Sequence, residues 1–269
     1  MIVGGDEAMK RSILMMTVLV LAALACTTNA LNVVRGSGTI VTETYDVSGF
    51  TEVELETIGT LYIEQGETDS LTVETDDNIL PLLIVHNGNG LLSLSDQTSG
   101  QLLPTGGIIF RLTARDLRSV VANSSGNIFV GPIEADGLEV QLNASGRVEM
   151  DSVAADQFSI RSTGSGDLRV DQVTTDTIKA KMQASGSVEL AGETNFLTAS
   201  IDGSGSLHAG DLRSGEAVVD VNASGSATVH ATDKLDVSIN GSGDVSYYGD
   251  PALTQSITAS GSLRSLGAK

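Results

Sequence analysis

A Ser-Gly pair recurs eight times in the second half of this chain, and its spacing constrains every other reading of the sequence. The glycines are Gly126, Gly146, Gly166, Gly186, Gly205, Gly225, Gly243 and Gly261, with steps of 20, 20, 20, 19, 20, 18 and 18 residues, and a serine precedes each one from Ser125 to Ser260. Self-similarity at a fixed period near twenty is the signature of a solenoid. Each unit is too small to bury its apolar side alone, and stacking joins the units into one core.

Numbered from its glycine, each unit repeats its apolar positions. Two residues after it stand Ile128, Val148, Leu168, Val188, Leu207, Ala227, Val245 and Leu263. Eight before it, from the second unit on, stand Leu138, Phe158, Ile178, Leu197, Ala217, Leu235 and Leu253, and four before it most units carry an aliphatic such as Leu142 or Ile201. Apolar and polar residues alternate, as in Leu138-Glu139-Val140-Gln141-Leu142. Period two places one face of a strand inward and the other in water, and no period of 3.6 competes with it. The fold expected is all-β: a parallel β-helix with roughly 20-residue coils. At about 4.8 Å per coil, the eight repeats build a rod of about 40 Å.

The residue three before each glycine is polar (Asn123, Asn143, Thr163, Gln183, Asp202, Asn222, Asn240, Thr258), and the next is tiny. This reads as corner chemistry, with Asn and Thr bonding turn backbone and stacking into a ladder. The glycine is expected to supply positive φ. Asn123, Asn143, Asn222 and Asn240 also open Asn-X-Ser sequons, but the corner column already accounts for them.

Composition fits a thin rod: aromatics are 3 %, Trp is absent and Gly numbers 30. The net charge of −19 argues against nucleic acid and against adsorption to anionic lipid, since phosphate binding needs a basic footprint. Acids at outward positions such as Glu139, Glu149, Asp167 and Glu189 keep a strand-rich surface soluble.

Residues 1–30 read as a targeting segment. Lys10 and Arg11 precede an apolar stretch from Ile13 to Ala25, broken only by Thr17 and too short to span comfortably as a mature helix. Cys26, the only cysteine, closes it, so no intrachain disulfide is possible. The run Leu21-Ala22-Ala23-Leu24-Ala25-Cys26 resembles a bacterial lipoprotein signal, which implies cleavage before Cys26 and lipid attachment there. Cleavage after Ala25 or Ala30, giving a secreted protein, is the alternative. Either way the chain is exported. Residues 31–37 read as a tether. Residues 38–117 read as irregular opening coils and an N-terminal cap, and 118–269 as regular repeats of the same domain.

Gly36-Ser37-Gly38, then Val47-Ser48-Gly49-Phe50-Thr51-Glu52-Val53 and Thr60-Leu61-Tyr62-Ile63-Glu64-Gln65-Gly66, resemble the bacterial DUF2807 family, the auto-transporter adhesin head or GIN domain, as does the Ser-Gly ladder. The resemblance runs over roughly residues 38–262. It implies a right-handed β-helix in an envelope or secreted protein with an adhesin-like role. No run of barrel-forming strands follows the last repeat, so export through the chain's own membrane barrel is not expected.

The function expected is a non-catalytic envelope or surface scaffold with an adhesin-like role. It would bind an unidentified protein or glycan and touch a membrane only through a lipid on Cys26. Two alternatives stand beside it: a polysaccharide lyase or hydrolase, which rests on fold analogy, and a periplasmic structural or signalling partner. Aromatic platforms for sugars look scarce, with Phe129 pointing outward alone. No cofactor is expected. Calcium at acidic stripes stays open, although the calcium-binding solenoid repeat is nine residues rather than twenty. His86, His208 and His230 lack metal-ligand spacing.

Overall fold

A computed structural model describes residues 33–269 apart from Ser99. The described residues form a parallel β-solenoid of about seven turns, with no α-helix among them. Nine short strands come first: β1 (Val33–Arg35), β2 (Ile40–Tyr45), β3 (Glu52–Leu55), β4 (Thr60–Gln65), β5 (Ser70–Asp76), β6 (Leu83–Gly88), β7 (Leu91–Asp96), β8 (Gln101–Leu103) and β9 (Ile109–Ala114). The regular coils follow as β10 (Ser119–Ala122), β11 (Asn127–Val130), β12 (Ile133–Leu142), β13 (Arg147–Ser162), β14 (Asp167–Met182), β15 (Ser187–Ile201), β16 (Ser206–Val221) and β17 (Ser226–Ile239). The last strands are β18 (Asp244–Tyr248), β19 (Ala252–Ile257) and β20 (Ser262–Ser265).

Each long strand wraps almost a full coil, and its burial pattern marks the bends. In β13 the inward residues are Val148 and Met150, then Val153, then Phe158, Ile160 and Ser162. Alternation breaks on either side of Val153, so the coil has three walls. The middle wall is lined by Ile133, Val153, Val173 and Leu212, all buried, a column that the two flanking apolar columns had hidden in the sequence. Parallel register holds coil on coil, as in Val148↔Leu168 and Ile160↔Ala180.

The repeat glycines are explained by crowding rather than by φ. None of the eight has positive φ; the glycines that do are Gly38, Gly49, Gly59, Gly90, Gly107, Gly192, Gly249 and Gly267. A Cβ on Gly146 would sit 2.2 Å from the carbonyl oxygen of Gly126, and one on Gly186 would sit 2.0 Å from that of Gly166. Successive corners therefore approach more closely than any side chain permits. The backbone N–H of Gly166 also donates to the Ala144 carbonyl at 2.9 Å. Before the serine, glycine stands where the coil beneath carries alanine: a Cβ on Gly164 would meet the Ala144 oxygen at 2.1 Å, and one on Gly203 the Ala184 oxygen at 2.3 Å. The 19-residue step has a local cause. Val170 faces Leu190 but Val173 faces Gly192, and the dropped residue is absorbed at Gly192, where φ is +122.

At the N-terminal end the coils are stacked out of sequence order. Strand β3 pairs in parallel with β7 on one side and β10 on the other, and β4 pairs with β9 and β11 in the same way. The first coil in sequence is thus sandwiched between the second and the third. Beyond it the stack is closed by antiparallel strands: β5 on β9, β2 on β5, and β6 on β7. Residues 33–37, expected as part of a tether, are bound to the body, because β1 pairs with β8.

Asp76 holds this closure together. Its side chain is fully enclosed, and its two oxygens accept from the N–H of Gly38 and of Thr105, each at 2.8 Å. Gly36 has no room for a side chain because the Asp76 carboxyl lies against it. Ser37 N–H donates to Asn78 Oδ1 at 2.9 Å, and Asn78 returns a bond to the Arg35 carbonyl at 2.8 Å. The Gly36-Ser37-Gly38 motif is therefore the contact surface of this clamp. Burial pushes the Asp76 carboxyl up, but the Thr105 and Gly38 N–H donors more than offset it and hold it below the ordinary range.

Two outcomes test this description. Gly146→Ala should destabilise the fold by about 1–3 kcal/mol through overpacking, whereas Gly137→Ala, whose Cβ would meet nothing closer than 3.8 Å, should be neutral or stabilise by up to about 1 kcal/mol. Urea unfolding followed by circular dichroism measures both, and equal effects would refute the crowding argument. For Asp76 the folded pKa lies below the unfolded one, so its stabilisation is present above about pH 4 and is lost as the pH falls through the folded value. Asp76→Asn sets an amide against two N–H donors. It should lower stability at pH 7 and flatten the decline between about pH 5 and pH 2.

Candidate functional site

The polar column at the glycine corner is engaged with itself. Asn143 Nδ2 donates to Asn123 Oδ1 at 2.8 Å, and Thr163 Oγ1 donates to Asn143 Oδ1 at 2.8 Å. Further along, Asn222 Nδ2 donates to Asp202 Oδ1 at 2.8 Å, Asn240 Nδ2 to Asn222 Oδ1 at 3.0 Å, and Thr258 Oγ1 to Asn240 Oδ1 at 3.0 Å. At its base Asn123 donates to Glu54, whose carboxyl is pushed up by burial, then by Glu56 and Glu52. These amides tie coil to coil, and the glycines Gly126, Gly146, Gly166, Gly186, Gly205, Gly225, Gly243 and Gly261 lie in the backbone beside them. A parallel column follows each glycine: Ser187 Oγ donates to Asp167 Oδ1 at 2.6 Å and Ser262 Oγ to Asp244 Oδ1 at 2.6 Å. The Ser187 donors hold the Asp167 carboxyl below its ordinary range against the effect of burial. Cys26 lies outside the described residues.

On the outer side of the first wall, Phe129 is not alone. It stacks on Tyr62 with centroids 5.4 Å apart and planes at 18°, because β11 lies directly on β4 in the register Phe129↔Tyr62. The Arg111 guanidinium covers the other face of Tyr62 at 5.3 Å. Both faces of Tyr62 are thus occupied, so the pair is a ladder element rather than an open platform for a sugar ring. The column continues as Glu149, Arg169, Glu189 and His208. Arg169 bridges Asp171 at 2.7 Å and Glu189 at 3.3 Å, which raises its already high pKa. At the far end of this wall, Lys269 donates to the Gly210 carbonyl at 2.8 Å and lies 4.7 Å over the Tyr248 ring. Nearby, burial and then the Lys269 and Arg213 charges lower the His230 pKa.

A concavity of about 680 Å³ forms a groove along the corner between the second and third walls. Glu134, Asp156, Asp176, Glu193 and Asp233 line it, with Arg213 as its one cation. Beneath it runs a buried hydroxyl column. Thr175 Oγ1 donates to Thr194 Oγ1 at 3.2 Å, and Ser214 Oγ to the His230 carbonyl at 2.6 Å. Asn195 Nδ2 donates to Asp176 Oδ1 at 3.0 Å, so this corner carries its own polar ladder. Asp136, Asp156 and Asp176 stand ten residues after their glycines, and aligning the units on that offset exposes the column. Among the described residues no group of three or more His, Cys, Asp or Glu side chains is placed to hold a metal ion, and no helix is long and apolar enough to cross a membrane.

Solved structures share this fold. A protein described as a "putative lipid binding protein" from Parabacteroides distasonis is 24 % identical with a TM-score of 0.81, over 87 % of this chain and 100 % of that one. A "putative adhesin" from Parabacteroides merdae is 23 % identical with a TM-score of 0.76, over 87 % and 99 %. A second "putative adhesin" from P. distasonis is 23 % identical with a TM-score of 0.79, over 87 % and 100 %. No curated protein matches the sequence. The family model described as "Putative auto-transporter adhesin, head GIN domain" matches twice, over residues 49–171 and 139–251. The two matches overlap within the coils and together span the stack from the sandwiched first coil to the start of the last. This chain belongs to the DUF2807 family.

Proposed function

We propose that the chain is a non-catalytic binding scaffold of the bacterial envelope or surface, exported and held by a lipid on Cys26. The observation that carries this reading is the unbroken stack. Coils of 18–20 residues follow one another without insertions, so each wall is a flat, rigid array of outward side chains in fixed register. Such a surface suits an extended partner and lacks the enclosing loops that shield a reaction from water. The adhesin descriptions of the family and of two solved relatives agree with it.

Polysaccharide cleavage is the competing reading, and the groove bearing Asp156, Asp176, Glu193 and Asp233 favours it. Glycosidic cleavage uses one pair of carboxylates with distinct roles. This groove instead spreads its acids along successive coils, as a ladder does.

The test is the accessibility of the protein to added protease on intact cells, with Cys26→Ser alongside and adhesion of the same cells to host matrix scored in parallel. The expected outcome is exposed wild type, shed variant and reduced adhesion in the variant strain. Protein hidden until the envelope is opened would refute the adhesive role. Release of reducing or unsaturated ends from a polysaccharide panel, lost in Asp176→Asn, would refute the non-catalytic one.

A further inference from the structure

We infer that the outer face of the third wall binds a linear anionic glycan, one bearing carboxylate or sulfate groups, through Arg161, Lys179 and Lys181. The inference deepens the adhesive reading and rests on it. The three cations meet because of the register: Lys181 lies directly opposite Arg161, and Lys179 opposite Ser159. Rungs are about 4.8 Å apart and alternate residues about 6.6 Å apart along a strand, so three positive charges occupy one small triangle. All three side chains are exposed.

The fold alone gives no reason for this grouping. Like charges directly opposite one another on a sheet are destabilising, and this chain has 34 acids against 15 Lys and Arg. Five of the other described cations take carboxylates, Arg115 with Asp69, Arg147 with Glu149, Arg169 with Asp171, Lys234 with Asp236, and Lys269 with Asp211, and the five that do not (Arg35, Arg111, Arg118, Arg213 and Arg264) are not paired with one another across the register. Among the described residues, none of the three on the third wall has such a partner. Glu139, diagonal to Arg161, faces Ser159 and accepts from Gln141 Nε2 at 3.1 Å, and Asp202, diagonal to Lys181, accepts from Asn222 Nδ2 at 2.8 Å. The cations line a shallow concavity of about 260 Å³ together with Ser159, Thr198 and Ser200, and the Glu139 carboxylate stands at its edge as the one acid against three cations.

The surroundings select the kind of polyanion. One coil on from Thr177 stands Phe196, the most exposed large apolar side chain among the described residues at 49 %. An open aromatic ring suits the apolar face of a sugar, and the hydroxyls of Ser159, Thr198 and Ser200 suit its polar rim. A flat anionic membrane would also meet Glu216, Asp220 and Asp236 on the same wall, whereas a single chain can follow the cations and avoid them. Three ion contacts predict a slope of about −2 for log affinity against log salt.

The test is retention of the purified exported chain on immobilised heparin, polygalacturonate and dextran between 50 and 200 mM salt, about a tenfold range of affinity at that slope. Arg161→Gln/Lys179→Gln/Lys181→Gln, Phe196→Ala and Arg169→Gln are run in parallel, and each is checked by thermal melting. Lys181→Gln alone serves if the triple variant does not fold. Binding to heparin or to polygalacturonate, but not to dextran, lost at least tenfold in the triple variant and unchanged in Arg169→Gln, is the expected result. The column that retains the protein identifies sulfate or carboxylate as the recognised group. Equal retention of wild type and triple variant, or a stronger response to phosphatidylglycerol vesicles or duplex DNA than to either glycan, would overturn the assignment. Cells that still adhere with the triple variant would refute the patch and leave the adhesive reading standing, whereas cells that never adhere would refute that reading itself.

Discussion

The structure depends on how closely one corner can lie upon the next. At the repeat glycine the preceding coil's carbonyl oxygen occupies the space a Cβ would need, at 2.2 Å for Gly146 and 2.3 Å for Gly261. That approach brings the backbone N–H of Gly166 within bonding distance of Ala144 and the amide of Asn143 within reach of Asn123. It also fixes the register in which Val148 covers Leu168. A single added methyl group at this corner would pry the rungs apart along the whole edge, since a packed stack transmits displacement rather than absorbing it. The core can vary among Val, Leu, Ile, Met and Ala, but the corner cannot grow.

This explains which features were legible in the sequence. The fold was legible because the corner imposes a strict period and the walls impose alternation, and both leave marks within twenty residues. The reason for the glycine was not, because close approach and positive φ select the same residue, and only coordinates separate them. The hydroxyl column beside the middle wall was masked by coils of unequal length: the residue dropped at Gly192 shifts Thr194 and Asn195 out of phase with Thr175 and Asp176. The pairing of Phe129 with Tyr62 was invisible for a deeper reason. It joins strands far apart in sequence through a stacking order that no local pattern records, and so a residue that looked isolated proves to be partnered.

Charge is distributed as the three walls dictate. On the first wall Arg169 alternates with Glu149 and Glu189, so its field is largely neutralised. The second-to-third corner is acidic, which keeps neighbouring molecules apart and protects exposed strand edges from adventitious pairing. The third wall holds the one cluster of cations without carboxylates among the described residues. A net charge of −19 thus hides three surfaces of different character, and the sign of the whole says little about what any one of them meets.

The sandwiched first coil has a consequence for how the rod comes into being. Strands β3 and β4 leave backbone N–H and C=O groups unpaired on both sides until β7 and β9 have returned beneath them and β10 and β11 have crossed above. Contacts between segments so far apart in the chain are slow to form, and the later coils have no template before they do. A chain threaded through an export channel from its N-terminus would therefore stay open until residue 130 has emerged. After that, each further coil could be laid down as fast as it arrives.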